Sequence, residues 1–360
     1  MMTISEMESV PFVFILGRGR SGTTLLQTIL DTHAQIQFPI ESRLIIYLCK
    51  KYSGNHKLTE KLIRSFLNDL FLDNKFRSHW KLKKTELERF LLLYLGQKLS
   101  LETLCKIIYL QYPSLFNKTK IKLIGDKNPT YAIFAAKLIE LFPEAKFIHI
   151  VRNPKDNIVS HRDTFSRSNI AFLAHGWISY NRYIEKCKKK IPNKFITIRY
   201  EDLVSEPTST ISCIAKHLNL DANELNLNLD LESNKKYHTQ LKGKEFEHFH
   251  KNLLKPINTE QIEKWRLKLT KEEINLVEYI THEYAASYNY SVEPYSSKIS
   301  YPIKSAIASC KYRIYNWSIV LYYNSPIALR KCSSFMSKLL FKYFKYFNYF
   351  NLGDYRFKEE

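Results

Sequence analysis

Short apolar runs alternate with amphipathic stretches along the chain as far as Tyr290. Residues 12–16, 146–152 and 194–199 have the length and the β-rich composition of buried strands, and a shorter strand is expected to end at Gly125. Stretches with helical spacing follow these runs. Strands that alternate with helices predict an α/β fold with a central, mostly parallel sheet.

Two stretches depart from this alternation. Residues 58–115 carry helical spacing alone, which predicts a helical insertion. Residues 301–350 contain eight Lys or Arg, no Asp or Glu, and many aromatic residues. We therefore expect a three-layer α/β domain over residues 1–295 and a basic, aromatic-rich helical C-terminal extension over residues 296–360. The extension either contacts an anionic membrane surface or packs on the main domain with its lysines outside.

The net charge of the chain is +20, which predicts an anionic partner. A nucleotide, a nucleic acid, an anionic sugar and a membrane surface all fit that charge. The sequence has no paired C-x-x-C/H pattern, recognition-helix module or RNP-like motif. Nucleic acid is therefore not the expected partner.

The six cysteines are scattered without paired spacing, as expected for reduced thiols in the cytosol. The first nine residues lack the pattern of a secretory signal, and no run of about 18 uncharged apolar residues occurs. A cytoplasmic location is expected, with peripheral attachment to the inner face of the membrane as an alternative.

A glycine-rich turn follows the first apolar run and precedes a helical pattern. Gly17, Gly22 and Thr24 fit the P-loop spacing, but Thr23 occupies the position of the P-loop lysine. A strand, a glycine turn and a helix N-terminus together form an anion site. ATP or GTP hydrolysis is not expected without that lysine, and Arg20 supplies a cation instead. The alternative is a glycine-rich connection with no ligand.

Arg152 ends a later apolar run, where a P-loop NTPase would usually place a Mg²⁺-binding Asp. Ser160 lies about two turns into the helix that follows. An arginine and a hydroxyl suit a terminal phosphate, so this pattern favours a second phosphate site over a metal site. The alternative is a surface Arg152 that pairs with Asp156.

Two further charged residues stand at expected element boundaries. Glu41 follows Pro39 where a helix is expected to start, so it either favours the helix dipole or faces a bound nucleotide. Lys127 lies in the turn before Pro129. In a parallel sheet such a turn points into the ligand crevice, although a solvated lysine is the alternative.

Several short motifs in this order resemble the sulfotransferase superfamily, and within it the branch of protein-tyrosine sulfotransferases and bacterial relatives. The resemblance covers about residues 12–265. The motifs are Arg20-Ser-Gly-Thr-Thr24, residues 40–43, residues 126–129, Arg152 with Ser160, residues 199–203 and residues 255–258.

The resemblance implies transfer of a sulfuryl group from PAPS (3′-phosphoadenosine 5′-phosphosulfate) to the hydroxyl of a glycan, glycolipid, metabolite or tyrosine, without a metal. It implies that Glu41 is the catalytic base and that Lys127 lies beside the transferring group. The implied nucleotide contacts are Arg20, Ser21, Gly22, Thr23 and Thr24 at the 5′-phosphosulfate, Arg152 and Ser160 at the 3′-phosphate, and Tyr200 and Lys255 elsewhere.

The sequence departs from the patterns of the superfamily that it resembles in two respects. Cytosolic small-molecule sulfotransferases use a histidine base and a lysine in the first loop, whereas this chain has Glu41 and Arg20. The tyrosine branch has an arginine at the position of Thr164. Two alternatives to a sulfotransferase are a non-catalytic nucleotide-binding protein at a membrane and a P-loop kinase.

Overall fold

The computed structural model describes residues 2–165, 169–225 and 256–330. The chain divides into two compact units, one from residues 1–152 and 180–259 and the other from residues 153–179 and 260–360. The domain boundary predicted between residues 295 and 296 stays a prediction.

The first unit contains the sheet and most of the helices. Its elements are α1 (Ile4–Ser9), β1 (Phe12–Leu16), α2 (Thr23–Asp31), β2 (Ile36–Gln37), α3 (Leu44–Tyr52), β3 (Asn55–Lys57), α4 (Glu60–Leu70), α5 (Asn74–Trp80), α6 (Lys84–Leu92), β4 (Lys98–Ser100), α7 (Leu101–Leu110), β5 (Leu123–Lys127), α8 (Ala135–Leu141) and β6 (Lys146–Val151). The chain continues with α9 (Pro154–Phe165), α10 (Ile170–Lys188), β7 (Phe195–Arg199), α11 (Tyr200–Ser205), α12 (Pro207–Leu218), α13 (Trp265–Lys268), α14 (Lys271–Ala286) and α15 (Ser300–Asn324).

Five parallel strands form the main sheet in the order β2-β5-β1-β6-β7. Strand β1 lies at the centre, and all five of its residues are buried. A strand that is covered on both faces has a continuous run of apolar residues, and for this reason the sequence predicted β1 clearly. The predicted α/β fold with a parallel sheet is confirmed.

Strand β5 does not end at Gly125, as the sequence suggested, but continues to Lys127. The ring of Phe38 packs directly on Gly125, where a Cβ atom would lie 2.1 Å from Cε2 of Phe38. Glycine here provides room for a close contact within a strand. Lys127 is consequently the last residue of a buried strand and not part of a turn.

The helix expected to start near Glu41 begins at Leu44. The Ser42 hydroxyl accepts a hydrogen bond from the Leu44 amide at 3.3 Å, within a non-helical segment. Glu41 therefore lies in the connection before α3, and the interpretation that it sits at the helix start is wrong.

The segment of residues 58–115, whose status as an insertion stays a prediction, contains the predicted helices as α4 to α7. The first unit also contains a feature that the sequence did not indicate, an antiparallel pair formed by β3 and β4. Each of these strands has three residues, and β4 has a single apolar residue while β3 has none, so neither has the apolar alternation that identifies a strand.

The second unit has its own core, in which α9 and the start of α10 pack with α13 and α14. Ile158, Leu173, Trp265 and Val277 are among its fully or nearly fully buried members. A buried ion pair joins Lys155 to Glu278. No helix in the described ranges is both long and apolar enough to cross a membrane.

Candidate active site

Most of the predicted site residues lie at one edge of the main sheet. Ile15 in β1 pairs with Lys127 in β5, and Val151 in β6 pairs with Arg199 in β7. The strands are parallel, so the carboxyl ends of neighbouring strands meet at this edge. Lys127 ends β5 there, and the loop after β1, Arg152 and Tyr200 come directly after the ends of their strands. Ligands of open α/β sheets bind at this edge.

The loop after β1 depends on its two outer glycines. A Cβ atom on Gly17 would lie 2.5 Å from the carbonyl oxygen of Ile150, so β6 leaves no room for a side chain. Gly22 has φ +88° and precedes α2 as its N-cap, and it has no side chain that could cap the helix amides. Arg20 has φ +69°, a strained conformation for a residue other than glycine. The loop therefore leaves the N-terminus of α2 without a side-chain cap, which is the arrangement found at helix N-termini that bind anions.

Arg20, Arg152 and Tyr200 form one cluster beside this loop. The Arg152 guanidinium donates a hydrogen bond to the Arg20 carbonyl oxygen at 3.1 Å and lies 4.4 Å from the centre of the Tyr200 ring. A Cβ atom on Gly22 would lie 2.5 Å from Cδ2 of the same ring. Desolvation and the like charge of Arg152 lower the pKa of Arg20 to about 10. Two neighbouring guanidinium groups are stabilised when an anion binds between or beside them.

Of the remaining residues, Thr23 and Thr24 begin α2, and Ser21 lies in the loop before it. Ser21 and Thr23 are buried, and Thr24 is half-buried. The Thr24 carbonyl oxygen accepts a hydrogen bond from the Thr28 hydroxyl at 2.9 Å. Their roles in nucleotide binding stay predictions.

Glu41 is held by two lysines. Its Oε2 atom lies 2.8 Å from Nζ of Lys127, and its Oε1 atom lies 3.1 Å from Nζ of Lys75. Burial alone would raise the pKa of Glu41, but Lys127 and Lys75, with a contribution from Arg43, hold it well below its usual value of 4.5. Glu41 is thus ionised, as a proton acceptor must be.

Helices on either side fix the segment that carries Glu41. Gln27 of α2 donates a hydrogen bond to the Pro39 carbonyl oxygen at 2.6 Å. The Trp80 indole of α5 donates to the Ile40 carbonyl oxygen at 2.8 Å, and Asn128 donates to that of Ser42 at 3.2 Å. The carboxylate therefore has a defined position, although it lies in a loop.

Sequence reasoning missed the contribution of the helical insertion to this site. Lys75 and Trp80 are both on α5, and His79 of the same helix lies with its Nδ1 atom 3.4 Å from the Glu41 carbonyl oxygen. Desolvation and the nearby charge of Lys75 lower the pKa of His79. A lysine in a lysine-rich insertion carries no distinguishing sequence signal, so only the folded chain identifies Lys75.

Asp126 lies beside Lys127 on β5. Its carboxylate accepts hydrogen bonds from the hydroxyl groups of Tyr109 and Tyr131. Burial raises the pKa of Asp126 to about 7, against the opposing effect of these hydrogen bonds. The two tyrosines tie β5 to α7 and to the turn after Pro129.

Other sequence-predicted positions belong to the second unit or lie outside the described residues. Ser160 and Thr164 are half-buried residues of α9, in the second unit. Asp156 on that helix accepts hydrogen bonds from the backbone amides of Glu263 and Trp265 at 2.8 and 3.0 Å. The shared phosphate site of Arg152 and Ser160 stays a prediction, and Lys255 lies outside the described residues.

No group of three or more His, Cys, Asp or Glu side chains in the described ranges could hold a metal ion. The expectation of a metal-free reaction stays a prediction.

The sequence pattern of the sulfotransferase family matches residues 11–224. This match covers more than half of the chain and includes β1, the loop after it, Glu41, Lys127, Arg152 and Tyr200. The chain belongs to the sulfotransferase family. The family predicted from the sequence is confirmed.

Individual relatives are distant. The chain is similar to the protein-tyrosine sulfotransferase of Drosophila melanogaster, with 26% identity over 72% of this chain and 48% of that protein. It is 25% identical to protein-tyrosine sulfotransferase 1 of Danio rerio, over 72% of this chain and 66% of the relative. The chain thus spans between about half and two thirds of the length of these relatives.

Two further similarities agree with the family. An omega-hydroxy-beta-dihydromenaquinone-9 sulfotransferase of Mycobacterium bovis is 30% identical over 26% of this chain and 28% of its own length. The sulfotransferase domain from the Synechococcus PCC 7002 olefin synthase superposes with a TM-score of 0.51 and 22% identity, over 79% of this chain and 96% of that domain. At that identity the structural likeness supports the fold alone.

Proposed function

We propose that this chain transfers a sulfuryl group from PAPS to an acceptor hydroxyl. The ion pair between Glu41 and Lys127 carries the proposal. The pairing of Ile15 with Lys127 places that lysine beside the strand that leads into the phosphate loop. Such a transfer needs a base, cations that stabilise the growing negative charge and a site for the anionic donor, and Glu41, Lys127 and the loop after β1 fit these three roles.

The residues of the loop region fit a donor with a 5′-phosphosulfate. Arg20 and Arg152 bring two positive charges together, and Gly22 leaves the α2 amides without a side-chain cap. An anion bound there would stabilise both charges. Residues 20–24 are the proposed cradle for the phosphosulfate, and Tyr200 with Arg152 would contact the nucleotide. Ser160 and Lys255 keep their predicted nucleotide-binding roles as predictions.

In the proposed reaction, Glu41 takes the proton of the acceptor hydroxyl. The acceptor oxygen forms a bond to sulfur as the bond from sulfur to the 5′-phosphate oxygen breaks, in line. Lys127 and Arg20 stabilise the negative charge that grows on the sulfuryl oxygens and on the departing phosphate. PAPS supplies the sulfuryl group, and the chain supplies the base and the cations.

The ion pairs of Glu41 also set its strength as a base. While Lys127 and Lys75 both contact the carboxylate, its pKa is low and it holds a proton weakly. An anion that draws Lys127 away removes one of these charges, and the pKa of Glu41 then rises. The base becomes stronger when the donor is in place, which suits a transfer that should not begin without it.

The acceptor is proposed at the level of a hydroxyl group. The names of two relatives indicate a protein tyrosine and an omega-hydroxy-menaquinone as their acceptors. For this chain we include peptide tyrosine, a lipid-linked hydroxyl, a glycan or glycolipid and a small metabolite. Mass spectrometry of sulfated products in cells with and without the protein would identify which of these is used. A cytoplasmic location stays a prediction.

The Glu41→Gln variant tests the proposal, with transfer of labelled sulfate from PAPS as the measurement. Loss of the base should lower kcat by about 100-fold or more, while affinity for the desulfated nucleotide PAP stays within about twofold. Glu144→Gln removes an exposed carboxylate and should leave both quantities unchanged. If Glu41→Gln retains turnover within about tenfold, equivalent to ~1.4 kcal/mol, Glu41 is not the base.

The transfer assay, together with nucleotide-binding and thermal-shift measurements, separates the alternative functions. Binding of PAP without transfer to any acceptor would favour a non-catalytic nucleotide-binding protein. Thermal protection by ATP but not by PAPS would favour a P-loop kinase, which the family match already makes the weaker alternative.

A further inference from the structure

Helix α15 has two apolar faces, and only one of them is buried. The buried face includes Tyr301, Ala308, Tyr312 and Tyr323. Within the second unit, the Tyr312 ring lies 4.9 Å from that of Phe172 on α10. These contacts explain why this face of α15 is buried.

Hydrogen bonds hold the same side of α15. Asn316 donates to the Ser179 hydroxyl at 2.8 Å, and the Ser305 hydroxyl lies 3.0 Å from Nε2 of His175. Tyr301 donates to the Glu272 carbonyl oxygen of α14 at 3.3 Å. These hydrogen bonds fix the rotation of α15 about its axis relative to α10 and α14. The opposite face of α15 therefore points away from the core of the second unit.

The opposite face is an exposed apolar stripe, which we call the seam. Its five large side chains are between 52% and 66% exposed, so no part of the chain that the structure describes covers them. Successive members are separated by four and then three residues, which keeps them on one side of a helix. The seam consists of Ile303, Ile307, Cys310, Ile314, Trp317 and Leu321.

Positive charges flank the seam on both sides. Lys311 and Arg313 lie about 80° to either side of it, from the helical rotation of about 100° per residue. Lys304 lies on the Lys311 side and is 3.6 Å from Glu272 of α14. Residues 294–353 contain no Asp or Glu at all. A surface that covers the seam therefore meets cations at both margins and no acidic side chain from this segment.

This charge pattern decides between two occupants. Spacing by four and three residues is also typical of a coiled coil, so a second copy of α15 would fit the apolar stripe. Paired copies, however, would place Lys311 and Arg313 at the flanking positions of the pair, where α15 offers no acidic side chain to stabilise them. An anionic lipid surface satisfies both the apolar stripe and its cationic margins.

We infer that the seam of α15 lies on an anionic membrane surface, parallel to the bilayer plane. The aliphatic side chains and Trp317 enter the headgroup boundary, and Lys311 and Arg313 contact lipid phosphates. The inference is independent of the proposed sulfuryl transfer, because no seam residue belongs to the candidate active site.

Tryptophan fluorescence of the full chain reports this contact directly. The chain has four tryptophans, of which Trp80, Trp177 and Trp265 are buried and Trp317 is 66% exposed. Transfer of Trp317 into the headgroup region should shift its emission to shorter wavelength and protect it from iodide quenching. Vesicles with about one third phosphatidylserine should produce this change and vesicles of phosphatidylcholine alone should not.

Two pairs of substitutions test the seam and its margins in a vesicle flotation assay. Ile307→Asp with Ile314→Asp should weaken partition onto the anionic vesicles by about tenfold or more, and Lys311→Glu with Arg313→Glu should do the same. Leu267→Asp is the matched control, because Leu267 is 89% exposed on α13, outside the seam. It should leave partition unchanged.

Several results would overturn the inference. Wild-type chain that stays off the anionic vesicles would contradict it, as would seam variants that bind as tightly as wild type. A wild-type dimer that the Ile307→Asp and Ile314→Asp pair converts to a monomer, measured by sedimentation, would assign the seam to a second copy. A large fall in Tm for this pair, but not for Leu267→Asp, would show that the chain itself covers the seam.

Discussion

At the scale of single residues, the defining feature is a carboxylate between two lysines. Lys127 reaches Glu41 from the end of β5, and Lys75 reaches it from the helical insertion. Lys127 is almost fully buried, whereas Lys75 is partly exposed. We expect the two lysines to act differently, because Lys127 is proposed to contact the transferring group. Lys75 would instead position Glu41 and tune its pKa.

Replacing Lys75 with Met should shift the acidic limb of the pH–activity profile. Two lysines hold the pKa of Glu41 well below 4.5, so removing one of them raises that pKa. A general base works only when deprotonated, and the acidic limb therefore moves to higher pH. At pH values above the limb, kcat should stay within about tenfold of wild type. The measurement is kcat/KM against pH.

Lys75→Arg is the control, since it preserves the charge and should restore the wild-type acidic limb. A limb that stays in place in Lys75→Met, or that moves equally in both variants, would remove Lys75 from this role. A merely structural contribution would lower activity at every pH without moving the limb.

At the scale of elements, the junction of β1 and α2 forms the proposed anion site. Gly22 ends the loop with a positive φ and lies against the Tyr200 ring. That ring in turn supports Arg152. A side chain at position 22 would therefore disturb the backbone of the loop and the position of the arginine together.

Gly22→Ala should destabilise the chain by about 1–3 kcal/mol and reduce PAP affinity by about tenfold or more. Gly96→Ala is a matched control, because Gly96 also has a positive φ of +84° but has nothing within 4 Å of the added methyl group. Gly96→Ala should show only the loss of stability that comes from a side chain at a positive φ, with PAP affinity unchanged. Equal losses of PAP affinity in both variants would contradict the proposed role of the loop. Calorimetric titration and urea unfolding measure the two effects.

At the scale of the whole molecule, the high net positive charge is the main feature expected to govern the binding of anionic ligands. A net charge of +20 attracts anions over distances of about a Debye length, which is ~10 Å at 0.1 M salt. The proposed donor carries phosphates and a sulfate, and the proposed surface for α15 is anionic. Both interactions should therefore weaken as salt is added.

Raising sodium chloride from about 0.05 M to about 0.5 M should lower kcat/KM for PAPS by about tenfold, because screening reduces the attraction of the cationic site for the donor. Tm measured over the same range is the control and should change little. A salt-independent kcat/KM for PAPS would mean that long-range charge does not assist donor binding.

Much of the fold was accessible from the sequence because its signals are local. The continuous apolar run of β1 and the glycine spacing after it are contained in about a dozen residues. The end of β5 could not be predicted from local signals of this kind. Gly125 looked like a stop signal, and only the ring of Phe38, far along the chain, shows why glycine stands inside the strand.

Some residues of the candidate site could also be predicted from the sequence, and others could not. Glu41, Lys127, Arg20, Arg152 and Tyr200 could be named from motifs, since each stands beside an element boundary. Lys75 could not be named, because its contact with Glu41 joins residues 34 apart through the folding of the insertion. The bond from Arg152 to Arg20 spans 132 residues and likewise follows from the order of the strands.

The sequence by itself determined the fold class and the family, and it predicted an anion site at the first loop, since apolar runs, glycine spacing and charge act within short segments. The tertiary structure decided which cations surround Glu41, why Tyr200 lies against Gly22, and which face of α15 stays exposed. These depend on packing between distant segments, where burial and neighbouring charges set the pKa and the exposure of each side chain.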